Sequence, residues 1–577
     1  MKKKYLKNFR KYSVSVIHLP PNDSAQPDCD QAVQALNFKK VSEDNRRVGV
    51  DTNCRTEKES DGGKVIEFQL ANQEGCDFET AIKATKYGKY NWFLLFIALW
   101  AYMSAMNSTT ALSFILPSAE CDLELSNFDK GMLNSVVYVG MIPSGLLWGF
   151  VSDAVGRKNV LIYILVFDTI FSILIGLAQN YMFLLIVKLI SGFLNSSLIA
   201  ILATYVAEVH ANEYRASVTI GMGIFWAIGS IILPLLAWLI IPIPINLVLF
   251  KEFLHLFSWH AFLLVSAIPS LLAFIGLLFF DESPKFLMCK GRNKEALLIF
   301  QKIYSANTGK PKETFTVKSL KEEQMDGQNR SEAKDDTIKQ ILWTGLRQLT
   351  PIFRKPYLFR VILPCFIQFL TILGMNTIRL WAPQLFATTI HSETHLNGTS
   401  SVSSICDLLM SNASEPTENV GDCGQRVVSE DVYFNSMITG FVTGIGYLIA
   451  GYLVKLIDRK WLLVLIYGLG VMCSFGIYWS TTSNHLLGTI SVFIALISMA
   501  ATTVSSVVID TFPTFLRTTA LSITLTFGRL GAVVGNLVFP LLLDLHCASP
   551  FIVLGAFLLV VGGLVFLLPN TKGEDLK

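Results

Sequence analysis

Four charged residues stand inside stretches that are otherwise almost wholly apolar: Asp168, Lys188, Arg379 and Arg529. A charge placed in hydrocarbon costs roughly 2.5–3.5 kcal/mol on insertion scales, so each needs a reason to be there: a solute, an ion path or a partner. Arg529 keeps its proton and must find an anion, carbonyl groups or water, so it reads as the central charge of a solute site. Arg379 lies near the end of its stretch, where it can also snorkel to the interface. Asn107, Ser108, Asn376 and Asn536 are candidate neutral contacts. Trp226 offers a face to a ring or a cation, or simply packs. Covalent chemistry has no such footing: the sequence holds no Walker phosphate loop and no HExxH, and its eight histidines are scattered. The expectation is a protein that binds and moves a small organic solute, with no catalytic residue, metal, cofactor or nucleic-acid partner.

Residues in such positions require membrane-spanning helices. Of 577 residues, 52% are apolar and only 16% charged, and the apolar ones gather in runs of the ~20 residues needed to cross ~30 Å of hydrocarbon. Twelve runs are legible: 92–117, 131–151, 159–178, 182–207, 216–241, 260–280, 359–386, 432–456, 460–481, 484–509, 517–543 and 549–569. The implied division is an arm over 1–91, a first six-helix half over 92–280, a linker over 281–358, a second half over 359–569 and a tail over 570–577. The basic start MKKKYLKNFRKY has no apolar run behind it and reads as a solvated, largely disordered arm rather than a signal peptide.

Short-loop cations set the orientation. Arg157, Lys158, Arg215, Lys455, Arg459, Lys460 and Arg517 share one side with both termini, which is therefore expected to be cytosolic. Acids such as Asp122, Glu124, Asp129, Glu415 and Glu418 dominate the other side. On that side the long loop 387–431 carries two usable glycosylation acceptors, Asn397 and Asn412. Cys121, Cys406, Cys423 and Cys547 fall there too, and Cys406 with Cys423 is the expected disulfide.

The chain also repeats itself. Gly149, Asp153, Gly156, Arg157 and Lys158 stand where the second apolar run ends; Gly451, Lys455, Asp458, Arg459 and Lys460 stand where the eighth ends, each 302 residues on. Glu208 and Arg215 recur as Asp510 and Arg517 at the same offset. Two motifs at one offset imply two halves related by an axis along the membrane normal, the duplicated plan of secondary transporters. Gly149 and Gly451 suit close helix approach, and Gly156 suits a loop needing positive φ. Asp153 and Arg157 read as a latch that a gating motion can break, with Glu208/Arg215 and Asp510/Arg517 bracing the same face.

The loop Gly149…Asp153…Gly156-Arg157-Lys158 resembles the signature of the major facilitator superfamily, and Tyr205-Val-Ala-Glu208 with Arg215, and Asp281-Glu282-Ser283-Pro284-Lys285, resemble sugar-porter and organic-ion-transporter signatures. The stretches 116–141, 257–274 and 512–535 are similar to the synaptic vesicle glycoprotein 2 family, invertebrate members included. The likeness runs from about residue 80 to the end. It implies an all-α fold of twelve helices in two six-helix halves, a monomer, and a plasma or secretory/synaptic-type vesicle membrane. It also implies a midplane site, for which Arg529, Trp226, Asn107, Asn376, Lys188 and Asp168 are the candidates. The third helix of this fold is usually peripheral, so Asp168 also reads as a structural carboxyl. Departures stand beside the matches. Where relatives commonly carry two carboxylates in the first span, this chain reads Ser104-Ala105-Met106-Asn107-Ser108, and a pocket tryptophan of the tenth span aligns with Ala501. Lys455 and Asp458 replace an expected Asp and Gly. With the first-span acids gone, a second reading stays open: a transporter-fold binding or trafficking partner without flux.

Overall fold

The computed structural model describes residues 56–60, 63–67, 75–249, 254–321, 352, 357–395, 404–406, 429–512 and 514–568. Asn397, Asn412 and Cys423 lie outside the described residues.

Every expected apolar run becomes helix. In the first half these are α2 (Lys89–Ala119), α3 (Asn127–Val155), α4 (Arg157–Gly176), the broken pair α5 (Tyr181–Asn195) and α6 (Leu198–Glu208), α7 (Asn212–Ile240), and the broken pair α8 (Ser258–Val265) and α9 (Ile268–Leu278). In the second they are α12 (Tyr357–His395), α13 (Glu430–Leu456), α14 (Arg459–Tyr478), α15 (Ser483–Thr511), α16 (Thr514–Leu545) and α17 (Ser549–Val565). Among the described residues ten spans are long and apolar enough to cross a membrane, and α3, bent by 52° between Gly145 and Leu147, makes an eleventh. The twelfth, α17, has 17 residues, the short end of the crossing range of roughly 17–25. The α8–α9 break has a chemical cause: Pro269 opens α9, where its missing N–H costs nothing.

Apolar side chains divide into separate cores. Leu94, Ile164, Leu202 and Tyr205 anchor one cluster of the first half, and Phe114, Leu184, Trp259 and Phe262 another. Trp381, Tyr467, Phe493 and Phe551 centre the core of the second half. Both halves also show large apolar side chains such as Phe96, Phe167, Phe441 and Met472 to the outside, as a lipid-facing belt requires.

One expectation about a polar segment is corrected. The arm is not unstructured over its last part, because α1 (Phe78–Ala84) buries Phe78, Ala81 and Ile82. They pack against Phe286 of α10 (Pro284–Cys289) and Phe300 of α11 (Asn293–Thr308), with Phe315 and Val317 completing the cluster. Asp77 caps α1 by accepting from the Thr80 N–H, and Cys76 pairs with Leu320. The start of the linker and the end of the arm therefore form one apolar cap. Earlier in the arm, β1 (Thr56–Ser60) and β2 (Gly63–Glu67) pair antiparallel with Ser60 opposite Gly63. Asp61-Gly62 stands between them in the sequence, a dipeptide favoured in tight hairpins. A second hairpin, β3 (Asn246–Leu249) with β4 (Leu254–Phe257), joins α7 to α8.

The disulfide is also corrected. Cys406 is bonded to Cys547, in the connection between α16 and α17, and not to Cys423. Pairing follows approach in space, and here residues 141 apart in sequence bring their Cα atoms within 5.6 Å. The bundle thus has a disulfide end and, opposite it, a charged end where α3 passes into α4.

Candidate functional site

At the charged end Gly156 adopts φ +115°, a region open to glycine, while linking α3 to α4 with no other residue between. A Cβ there would strike the Glu282 carboxylate. Glu282 Oε1 accepts from the Lys158 N–H at 2.9 Å, placing a negative charge at the exposed N–H groups that open α4. Glu282 was visible only as part of the Asp281–Lys285 motif; its capping role was not.

Arg157 ties this end together. Its Nη2 lies 3.0 Å from Asp153 Oδ1, its Nε 3.3 Å from Glu208 Oε2, and its guanidinium 5.4 Å from the Phe286 ring centre. Ser283 Oγ donates to the same Glu208 oxygen at 2.5 Å. The expected braces Glu208/Arg215 and Asp510/Arg517 do not form. Arg215 pairs with Glu79 of α1 and donates from Nε to the Ala207 and His210 carbonyls, because a helix C-terminus offers unpaired carbonyls to a nearby cation. Asp510 pairs with Arg459. Arg157–Glu208 and Arg459–Asp510 are therefore the equivalent pairs, 302 residues apart, and Arg517 makes no ion pair among the described residues.

Close approach at Gly149 and Gly451 is corrected as well: nothing lies within 4 Å of where a Cβ would stand at either, nor at Gly221 and Gly223. The opposite end differs. A Cβ at Gly131 of α3 would strike the Asn536 carbonyl of α16, and one at Gly440 of α13 the Ser230 carbonyl of α7. Asn127 Nδ2 donates to Asp544 Oδ1 at 2.9 Å, and Trp238 Nε1 to Glu430 at 3.2 Å. The halves pack closely toward the disulfide end, whereas among the described residues nothing closes on these four glycines toward the charged end.

Between them lies a cavity of about 520 Å³ lined from both halves, including Tyr138, Asn195, Trp226, Asn376, Tyr447 and both Arg379 and Arg529. Arg379 Nη2 donates to Asn376 Oδ1 at 2.7 Å and to the Tyr138 hydroxyl at 3.0 Å, and its guanidinium lies 6.0 Å from the Trp226 ring centre. Arg529, on the second half, reaches across the seam. It donates from Nη1 to the Met141 carbonyl at 3.0 Å and from Nη2 to the Ser196 carbonyl at 2.6 Å. Ser196 sits in the break between α5 and α6, where the helix leaves carbonyls without partners.

The remaining candidates do not line the cavity. Asn107 is buried and gives its Nδ2 to the Ser266 carbonyl at the α8–α9 break. Asp168 accepts from Ser104 Oγ at 2.5 Å and from Asn195 Nδ2 at 2.9 Å, with Lys188 within electrostatic reach. This cluster is interior to the first half, one side chain (Asn195) behind the cavity wall. Sequence reading missed Tyr138, Tyr447 and Asn195 as lining residues, since nothing in a polar or aromatic residue of an apolar run tells which face meets the seam.

Two six-helix halves around a cavity at their seam define a polytopic membrane protein of the major facilitator fold. Residues 86–411 match the pattern of the sugar (and other) transporter family, and residues 428–577 that of the Major Facilitator Superfamily. The chain belongs to the sugar (and other) transporter family. Among relatives, mouse synaptic vesicle glycoprotein 2C is 34% identical over 270 residues, covering 46% of this chain and 36% of the mouse one. Rat synaptic vesicle glycoprotein 2B is 35% identical over 258 residues, covering 44% and 37%. The match thus spans little more than a third of either curated relative. The xylose transporter XylE from E. coli, in a partially occluded inward-open conformation, superposes with a TM-score of 0.60 at 17% identity, over 84% of this chain and all of that one. The nucleoside transporter NupG gives 0.51 at 10% identity, over 82% and 99%. At these identities the likeness is one of fold.

Proposed function

We propose that the chain is a secondary transporter that carries a small organic solute across its membrane by alternating access, with the charged end in the cytosol. One observation carries this reading: the halves around the cavity pack closely toward one end, while the described glycines toward the other have nothing against them, as a carrier facing that other side requires. The disulfide supports the orientation, because such bonds persist in oxidising compartments, and Asn397 and Asn412 would be glycosylated on that same side. Asp153, Arg157 and Glu208 would be the groups that rearrange when the charged end closes. The test is uptake by purified chain in liposomes, screened against sugars, organic cations and organic anions with and without a pH gradient. Saturable, protein-dependent uptake of any of them supports the proposal, and its absence for folded protein sinks it. The absence of a carboxylate from the cavity lining among the described residues favours the second reading, a binding or trafficking partner without flux, to the extent that flux needs a proton carrier there. Binding without uptake in the same screen would select that reading.

A further inference from the structure

The buried cations of the described residues obey a rule. Lys130 lies 2.8 Å from a Glu120 oxygen, Arg157 is held by Glu208, and Lys188 is within electrostatic reach of Asp168. Each positive charge taken out of water has a carboxylate, as the expense of burying a lone ion demands. Arg379 and Arg529, half-buried against the cavity, have none. Both face the cavity, neither is ion-paired among the described residues, and no acid joins them in its lining. Their acceptors are neutral: two backbone carbonyls for Arg529, and an amide oxygen, a phenol and a thioether for Arg379. The Arg379 Nε is buried and has no acceptor. The cavity therefore carries two positive charges and no counter-charge of its own.

We propose that the solute is an organic anion with a flat aromatic part, its carboxylate-like group taken by Arg379 and its ring by the aromatic wall around Trp226. The proposal deepens the transporter reading and rests on it for the identity of the site. A guanidinium presents N–H donors in a plane that matches a carboxylate two at a time, and Arg379 has a donor in place without an acceptor. Trp226, 6.0 Å from its guanidinium, with Phe114, Tyr138 and Tyr447 in the same lining, provides the apolar and aromatic surface that holds the body of a small ligand. Arg529 adds a second positive charge to the same lining, its guanidinium held by its bonds to Met141 and Ser196. A cation would meet two like charges with no acid beside them in the lining. A sugar would leave both arginines without a counter-ion.

The experiment uses three probes that share one ring and differ in charge: indole-3-acetate, indole-3-ethanol and tryptamine. Their binding to the purified full chain is measured by titration calorimetry. Indole-3-acetate is expected to bind at least about tenfold more tightly than the alcohol, the scale of a charge-assisted hydrogen bond, and tryptamine most weakly. Arg379→Gln should bring the carboxylate's affinity down to the alcohol's, and Arg379→Lys should restore part of the preference. Monodisperse elution and an unchanged unfolding temperature establish that the variants are folded. If Arg379→Gln does not fold, Arg529→Gln, which removes the second charge, should narrow the preference. Equal affinity across the three probes, preference for the amine, no saturable binding of indole-3-acetate, or a preference that survives both Gln variants overturns the proposal. Uptake in liposomes separates it from the transporter reading. Indole-3-acetate bound but not carried leaves the anion site standing without transport, whereas xylose carried with no charge preference leaves transport standing without the anion.

Discussion

In the first half the loop arginine and its acid are nearly enclosed: the side chains of Arg157 and Glu208 are 10% and 11% exposed. Their counterparts 302 residues on, Arg459 and Asp510, are 25% and 40% exposed. The first pair is further held by Ser283 and by Phe286 of the cap that α1, α10 and α11 build over it. The turn differs in the same sense. Gly156 needs φ +115° and lies against Glu282, whereas the equivalent Asp458 sits at φ −58°. The departure from the expected glycine is thus permitted by geometry, since the second loop turns without visiting the left-handed region. One ancestral unit has become a structural member in one half and a surface tether in the other.

That comparison is sharpest where charge is removed. Arg157→Ala leaves Glu208 buried without its cation and should destabilise the protein by about 3–5 kcal/mol. Arg459→Ala breaks a partly solvated pair and should cost no more than about 1 kcal/mol. Thermal unfolding of the two variants in detergent measures both, and equal losses would erase the distinction. At the turn, Gly156→Ala should cost about 1–3 kcal/mol for the forced backbone alone, more with the Glu282 contact. Asp458→Gly should stay within a few tenths of a kcal/mol, as expected when glycine replaces aspartate at a helix start.

The smallest effect concerns pH. His210 is buried between α6 and α7, gives its Nδ1 proton to the Val206 carbonyl and packs against Tyr87. Burial chiefly, and Arg215 nearby, hold its pKa below the usual imidazole value. The folded state therefore binds this proton less readily than the unfolded chain. Its contribution is complete above about pH 6.5 and is lost as pH falls below that. The equivalent residue in the second half is Phe512, fully buried. Unfolding temperature followed from about pH 7.5 to about pH 5 should fall less steeply for His210→Phe than for wild type. Parallel curves would remove His210 from the account.

The twelve spans and the 302-residue repeat could be read from the chain because length and apolarity are local properties, and a repeat needs only the sequence compared with itself. Arg529 and Trp226 could be found at the seam for the same reason, a charge or a large ring standing alone in an apolar run. Asp168 and Asn107 look identical in that respect, yet one is taken up by Ser104 and Asn195 and the other by the carbonyl of a helix break. Which face of a helix meets the seam is a tertiary fact. So is α1: seven residues in a polar arm give no periodic signal, and its partners Phe286 and Phe300 lie some two hundred residues away.

The cross-link from Cys406 to Cys547 joins the segment after α12 to the connection after α16, and both belong to the second half. It therefore crosses no line along which the two halves would have to part. Under the proposed alternating access, a bond across the seam would have to break in every cycle, whereas this one could stay closed. It shortens the reach of the unfolded chain over a 141-residue separation, which favours the folded half. Reducing agents should accordingly shorten how long the second half survives heat.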